Sequence, residues 1–194
     1  MSHGITIDII RDMKRSGIMR IGILPLKIHI KRLHINMQEA EKRFEDAAKH
    51  NIDLLVLPEM ALTGINEKPP LDKGDRVHVF KLGSISLSML ICGDLFDGRV
   101  ISMLKTSDRI NLLAVPMCRC FDGKTPDIDR WENEERRVYV EAVRELVDYI
   151  LISNALEVSA NESFGGGLII SRANSVLAET KHGTDEIVWI DVAL

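Results

Sequence analysis

The chain has 194 residues, of which 45% are hydrophobic and 28% are charged, a composition typical of one folded soluble domain. It carries 25 lysines and arginines against 29 aspartates and glutamates, and the net charge is -4. The basic residues alternate with acidic ones and form no basic stripe, so we expect no nucleic-acid partner.

The sequence contains no segment that is typical of a membrane or of secretion. No apolar run approaches the roughly 20 residues that cross a bilayer, and the first residues lack the apolar core of a signal peptide. We therefore expect a cytoplasmic protein with no membrane partner. The three cysteines, Cys92, Cys118 and Cys120, are an odd number, so a disulfide framework is not expected. The C-x-C spacing of the last two is a weak metal signal, because no paired Cys or His stands nearby.

Hydrophobic periodicity predicts strands that alternate with helices through the first two thirds of the chain. We expect residues 1–18 to be an N-terminal extension and residues 19–194 to form a single domain. Asn36, with Glu39 three residues later, resembles a capping box and predicts the start of the first helix of that domain. Asp97 is placed to cap a second helix, and a longer helix is predicted from about Trp131 to Leu146.

The predicted strands are strongly apolar, which indicates burial on both faces. They are the segments "MRIGILPL", "IDLLVLPE", "VHVF", "ISLSMLIC", "INLLAVPM", "YILISN", "GGLIISR" and "EIVWIDV". Because strands and helices alternate and the last part is rich in strands, the sequence predicts an α/β class with helices layered over the sheet.

Two polar residues follow predicted strands, Glu59 after "DLLVLP" and Cys92 within "SMLICGDLFDG". Strand ends are where α/β folds gather catalytic groups. A cysteine attacks as a thiolate, so it needs a base to take its proton or a cation to stabilise the anion. Gly93 permits a sharp turn that presents backbone N–H groups near the sulfur as an oxyanion hole. Taken separately, Cys92 also fits a buried packing thiol and Glu59 fits a turn cap.

Together the motifs resemble the nitrilase superfamily of carbon-nitrogen hydrolases. "NIDLLVLPEMALTG" resembles the glutamate motif of that family, and "GSISLSMLICGDLFD" resembles its cysteine motif. "VYVEAVRELVDYILISNA" is similar to the helix and strand that lead to a buried asparagine, here Asn154, and "FGGGLIISRANSVLAET" is similar to the hairpin that follows. The resemblance covers most of residues 19 to 192.

This resemblance implies an αββα sandwich that often forms a homodimer. It further implies hydrolysis of a small-molecule amide, nitrile or carbamoyl C–N bond through a cysteine thioester. In that scheme Cys92 is the nucleophile and Glu59 the general base, with no metal and no other cofactor.

The chain departs from the family pattern between its two motifs. The family carries a catalytic lysine there, and the short interval from Glu59 to Cys92 contains no matching segment, so we interpret the chain as a shortened member. Lys68 is the lysine best placed in the sequence to substitute, ahead of Lys73 and Lys81, although a solvated loop lysine is the ordinary alternative. Without an ammonium group the thiolate and the oxyanion lose a cationic partner.

Three hypotheses follow from these motifs. The first is a compact amidohydrolase that uses Cys92 and Glu59, with Lys68 or no lysine. The second is a catalytically degenerate member that serves as a binding or interaction subunit. The third is a different α/β thiol fold with a strained cysteine elbow beside a glutamate, in which Cys92 would open a helix directly. We expect Met117 and Cys118 to line a substrate pocket or to pack at a strand end.

Overall fold

The structure, a computed structural model, describes residues 17–62, 76–119, 130–157 and 165–193. Its strands are β1 (Ile18–Ile23), β2 (Lys27–Ile28), β3 (Leu54–Val56), β4 (Val79–Leu82), β5 (Ile85–Met89), β6 (Leu112–Met117), β7 (Tyr149–Asn154), β8 (Leu156–Glu157), β9 (Gly167–Ser171), β10 (Val176–Glu179) and β11 (Val188–Ala193). Each strongly apolar segment predicted as a strand contains one of them. Most of the predicted extension lies outside the described residues, and β1 begins at Ile18.

The helices are α1 (Leu33–Lys49), α2 (Gly98–Thr106) and α3 (Arg136–Ala142), and α3 is preceded by a π-helical turn at Trp131–Glu135. The predicted cap of α2 is confirmed, because the Asp97 carboxylate accepts a hydrogen bond from the Arg99 amide at 2.8 Å. The helix predicted to reach Leu146 ends earlier, and Glu145 adopts a left-handed backbone with φ 58°. Within the described ranges, no helix is long and apolar enough to cross a membrane.

Asn36 does not cap α1, which corrects the prediction from the capping-box pattern. The helix begins three residues earlier, at Leu33, and Asn36 is fully buried within it. Its side-chain oxygen accepts from the His29 amide at 2.8 Å, and its side-chain nitrogen donates to the carbonyls of His29 and Leu62, both at 2.9 Å. The polar group that resembled a helix cap therefore ties α1 to two loops.

Two larger sheets and one two-stranded pair make up the β structure. The three-stranded sheet has the order β11-β1-β3, and the six-stranded sheet has the order β10-β9-β7-β6-β5-β4. At the centre of the six-stranded sheet β5, β6 and β7 are parallel, whereas β9 pairs with β7 in the antiparallel sense. The carboxyl ends of β5, β6 and β7 therefore lie at one edge of that sheet.

The two sheets pack face to face between helices, which confirms the predicted αββα sandwich. Along β6, Leu112 and Ala114 face β1, while Leu113, Val115 and Met117 face the layer of α2 and α3. On the other side, Ala40 of α1 packs with the outer face of the three-stranded sheet. Because both faces of the six-stranded sheet are covered, its central strands β6, β7 and β9 are apolar at consecutive positions.

The sheets approach each other closely at Gly167, the first residue of β9. A Cβ atom there would lie 2.7 Å from the Cδ1 atom of Ile23 and 2.9 Å from the carbonyl oxygen of Ile152. Real Cβ atoms do not come this close to backbone, so the position requires glycine for close approach. The contact is one residue from the carboxyl end of β7, where the polar groups described next are found.

Candidate active site

Polar groups from both sheets meet at the carboxyl ends of β5, β6 and β7. Cys92 follows β5, Cys118 follows β6, and Asn154 ends β7. Glu59 follows β3 of the other sheet, after the buried Pro58. This is the edge at which α/β sheets place ligands and catalytic groups.

Cys92 occupies a strained turn directly after β5. Its φ is 47°, in the left-handed region that residues with a Cβ rarely adopt, and it is the first residue of a 3₁₀ turn, Cys92–Phe96. The prediction that Gly93 carries the sharp bend is wrong, because the strain lies at Cys92 itself. A non-glycine residue in this region costs about 1–3 kcal/mol and persists where surrounding contacts enforce it. Here Asp94 closes the turn by accepting a hydrogen bond from the Ile91 amide at 3.0 Å.

The Glu59 carboxylate lies beside the Cys92 thiol. Burial raises the pKa of the Cys92 thiol, and the neighbouring Glu59 carboxylate raises that pKa further. The thiol is therefore held protonated next to a carboxylate, the kind of group that can serve as a general base. The loop that carries Glu59 is anchored by the Leu62 carbonyl, which accepts from the buried Asn36 side chain at 2.9 Å.

Two backbone amides also act on the Cys92 thiol. The N–H groups of Cys118 and Gly93 lower the pKa of Cys92 and so oppose the effect of burial. Among the described residues, the groups that shift this pKa most include no lysine or arginine. The anionic form of the site is thus stabilised by neutral main-chain donors in the part of the chain that the structure describes.

A second network packs beside Cys92 on the helix side. The buried Tyr139 hydroxyl donates to the Glu135 carboxylate at 3.0 Å, and the Arg119 guanidinium lies 3.2 Å from the same carboxylate. Burial, the Glu135 charge and a weaker contribution from a Cys92 thiolate all raise the pKa of Tyr139, so the phenol stays neutral. The centroids of the Tyr139 and Phe96 aromatic rings lie 6.0 Å apart, and the two rings cover this side of the turn.

The structure brings Cys92 and Glu59 together. It does not show which lysine, if any, lies beside them. Lys68 and Lys73 lie outside the described residues. Lys81 belongs to β4 and donates to the Ser86 hydroxyl at 2.6 Å, near the start of β5 and away from Cys92. Met117 packs in the helix-side core, with 1% of its surface exposed, whereas Cys118 contributes its amide to the site.

The sequence reasoning did not identify Tyr139, Glu135 or Arg119 as part of this region. Tyr139 and Glu135 are four residues apart, a helical spacing that carries no chemical signal of its own. No group of three or more His, Cys, Asp or Glu side chains in the described ranges is placed to hold a metal ion. Of the predicted C-x-C pair, Cys120 falls outside those ranges.

Searches by sequence found no matching family model and no matching curated protein. Solved structures do match. A glutamine-dependent NAD+ synthetase from Acinetobacter baumannii has a TM-score of 0.74 at 11% identity over 90% of this chain, which spans only 45% of the synthetase. An amidase from Nesterenkonia sp. has a TM-score of 0.67 at 12% identity over 90% of each chain. Because the alignment with the amidase covers 90% of both chains, it does not confirm the prediction that this chain is a shortened member.

The amidase is described as a nitrilase-superfamily protein, and a variant of it carries the acetamide moiety of fluoroacetamide covalently added at its active-site cysteine. Identities of 11% and 12% establish a likeness of fold and leave the chemistry of this chain to its own residues. The αββα architecture, the strand order and these matches agree. The chain therefore has the fold of the nitrilase-superfamily amidases.

Proposed function

We propose that the protein is a hydrolase that cleaves a non-peptide carbon-nitrogen bond, in an amide, nitrile or carbamoyl group, through a thioester on Cys92. The observation that carries this proposal is the thiol-carboxylate pair of Cys92 and Glu59, set where the ends of two sheets meet. A nucleophile beside a positioned base is the arrangement that acyl transfer requires.

For an amide, each step of the proposed reaction uses groups at this site. The Cys92 sulfur bonds to the amide carbon, its proton moves to Glu59, and the carbonyl electron pair moves onto oxygen. The oxyanion collapses, the C–N bond breaks, and Glu59 returns the proton to the leaving amine. Water then attacks the thioester and gives a proton to Glu59, the C–S bond breaks, and the proton restores the thiol.

The test uses butyramide, because a variant of the Nesterenkonia amidase binds it, and fluoroacetamide, which adds to the cysteine of that protein. We expect release of ammonia from butyramide and addition of fluoroacetamide at Cys92, mapped by peptide mass spectrometry. The Cys92→Ala variant is expected to lose both. Modification confined to Cys118 or Cys120, with no ammonia released from any small amide or nitrile, would contradict the proposal.

A catalytically degenerate binding or interaction subunit is the second candidate. It is favoured by the raised pKa of Cys92 and by the lack of a lysine or arginine among the described groups that shift this pKa most. In that case calorimetry would detect butyramide binding without ammonia release, in both the wild type and Cys92→Ala.

Lys68 remains the predicted cation of the hydrolase. We expect Lys68→Met to lower turnover about a hundredfold, since loss of one oxyanion partner has effects of that order. Lys73→Met is the matched control, and equal turnover of the two variants would remove Lys68 from the proposal. The predicted homodimer is tested by light scattering coupled to size-exclusion chromatography, where a single-chain mass would contradict it.

A further inference from the structure

We infer that the main-chain N–H of Cys118 is an oxyanion donor of this site and that the buried side-chain amide of Asn154 is the positioning residue that holds it there. This inference rests on the proposed function, because it requires Cys92 to be the nucleophile. The Cys118 N–H, at the end of the strand next to β5, would be a neutral donor to the oxyanion. The predicted cation of the site, Lys68, lies outside the described residues.

The direction of the Cys118 N–H follows from strand order. The N–H of Cys118 shares a planar trans peptide unit with the carbonyl of Met117, so the two groups point in opposite directions. The Met117 carbonyl accepts a hydrogen bond from the Ala155 amide at 3.0 Å, on the β7 side of β6. The N–H therefore points toward the other neighbour of β6, which is β5, and Cys92 follows that strand.

The next peptide unit is held by Asn154. The Asn154 side-chain oxygen accepts from the Arg119 amide at 2.7 Å, and its nitrogen donates to the Arg119 carbonyl at 3.3 Å. The same nitrogen donates to the Gly165 carbonyl at 2.9 Å, and only 2% of Asn154 is exposed. Both sides of Cys118 are thus fixed, one by the β6-β7 ladder and one by a buried amide.

A fixed N–H is the form of donor that stabilises a developing oxyanion. It carries no charge of its own, it needs no reorganisation during the reaction, and in a partly dry site it is stronger than in water. The Gly93 N–H also lowers the pKa of Cys92. Two amides from separate segments are therefore available as donors to the carbonyl oxygen of a substrate bound to Cys92.

The first experiment removes the donor without removing the residue. Cys118→Pro lacks the N–H, and Cys118→Ala lacks the same thiol but keeps the N–H, so the ratio between these two variants isolates the amide. We expect turnover of butyramide to be about a hundredfold lower in Cys118→Pro than in Cys118→Ala, with little change in KM. Inhibition by butyraldehyde, whose adduct with a thiol carries an oxygen at the same place, is expected to weaken in parallel.

The second readout needs no substrate. Because the Cys118 N–H lowers the pKa of Cys92, its removal is expected to move the inflection of the iodoacetamide alkylation rate of Cys92 to higher pH. Equal inflections and equal butyraldehyde inhibition in the two Cys118 variants would overturn the inference. If wild-type Cys92 resists alkylation and no amide is cleaved, it is the proposed function that fails.

Asn154→Ala is a second test of the inference, which can be used if Cys118→Pro does not fold. It leaves the Cys118 N–H in place but frees the Arg119 peptide unit, and we expect a fall in kcat of about tenfold or more at similar KM. Asn111→Ala, at the other end of the same strands, is the matched control and is expected to retain wild-type kcat. The same kcat in both asparagine variants, with both folded by circular dichroism, would overturn the role of Asn154.

Discussion

The β6-β7 pair carries an asparagine at each end, and the two amides have different surroundings. Asn111 precedes β6, accepts a hydrogen bond from the Ser86 amide at 3.0 Å and donates to Asp148 at 3.0 Å. Asn154 ends β7, and its recorded side-chain partners are main-chain groups of Arg119 and Gly165. One amide joins a half-buried polar cluster, and the other fixes the main chain that follows Cys118.

The ion pairs at the two ends of the β6-β7 pair also differ in exposure. At the Asn111 end, Asp148 forms ion pairs with Arg109 and Arg172, whose side chains are 79% and 61% exposed. At the Asn154 end, Arg119 meets Glu135, whose side chain is only 10% exposed. Ion pairs in solvent contribute little, whereas buried polar groups require partners in defined positions. The comparison teaches that residue type alone does not distinguish the two strand ends, whereas burial and the strained backbone of Cys92 do.

The largest expected effect is at Glu59. Glu59→Gln keeps the shape of the side chain but removes the base, and we expect turnover to fall about 10²–10⁴-fold. The same change removes a charge that raises the pKa of Cys92, so the alkylation inflection of Cys92 is expected to move to lower pH. Activity and thiolate formation thus change in opposite directions, as measured by ammonia release and by iodoacetamide kinetics.

Lower turnover together with slower alkylation of Cys92 would contradict this account of Glu59, because that combination would indicate a disrupted fold and not the loss of a base. Asp148→Asn is the control from the other end of the sheet. It removes a carboxylate at a comparable strand end, and wild-type turnover is expected.

The two asparagines are expected to differ in stability as well as in activity. Asn154→Ala removes the side-chain partner of a buried Gly165 carbonyl and of two part-buried Arg119 main-chain groups, which costs about 2–3 kcal/mol of unfolding free energy. Asn111→Ala is expected to cost about 1 kcal/mol, because its partners are closer to solvent. Urea unfolding measures both, and a larger loss for Asn111→Ala would reverse the comparison.

A third prediction concerns the contact between sheets beside the candidate site. Gly167→Ala places a methyl group against the Ile23 side chain of the facing sheet and the Ile152 carbonyl of its own sheet, and overpacking of this kind costs about 1–3 kcal/mol. Gly98→Ala is the control, since a Cβ atom there meets nothing within 4 Å. Thermal unfolding that shows equal midpoints for the two variants would mean that the sheets separate at little cost.

The smallest effect is expected at Asp148. Burial raises the pKa of Asp148, but hydrogen bonds from Asn111, Arg109 and Arg172 outweigh it and lower the pKa below its ordinary value. A carboxylate with a lowered folded-state pKa contributes stability above its unfolded pKa of about 3.9, and that contribution is lost as pH falls.

The stability gap between wild type and Asp148→Asn is therefore expected near pH 6 and is expected to shrink as pH falls below the unfolded-state pKa of about 3.9. Its size is about 1 kcal/mol or less, because the exposed arginines are screened by solvent. Urea unfolding across this pH range measures it. A gap that widens in acid would contradict the assigned sign.

Local patterns were sufficient for most of the fold. Consecutive apolar positions in segments such as "INLLAVPM" predicted strands covered on both faces, and Asp97 predicted the start of α2. The helix cap predicted at Asn36 was wrong, because an asparagine can also form hydrogen bonds with the main chain of nearby loops, here with His29 and Leu62. The early end of α3 was missed since helical spacing continues past the residue where the backbone turns left-handed.

The sequence by itself determined the layered α/β class and, through the resemblance of two motifs, predicted the pairing of Glu59 with Cys92. Only the tertiary structure decided what else reaches the sulfur. The Cys118 amide is a main-chain group and has no residue-type signal, and its direction depends on which strands flank β6. Strand order and peptide planarity are properties of the assembled sheet, so no local pattern contains them.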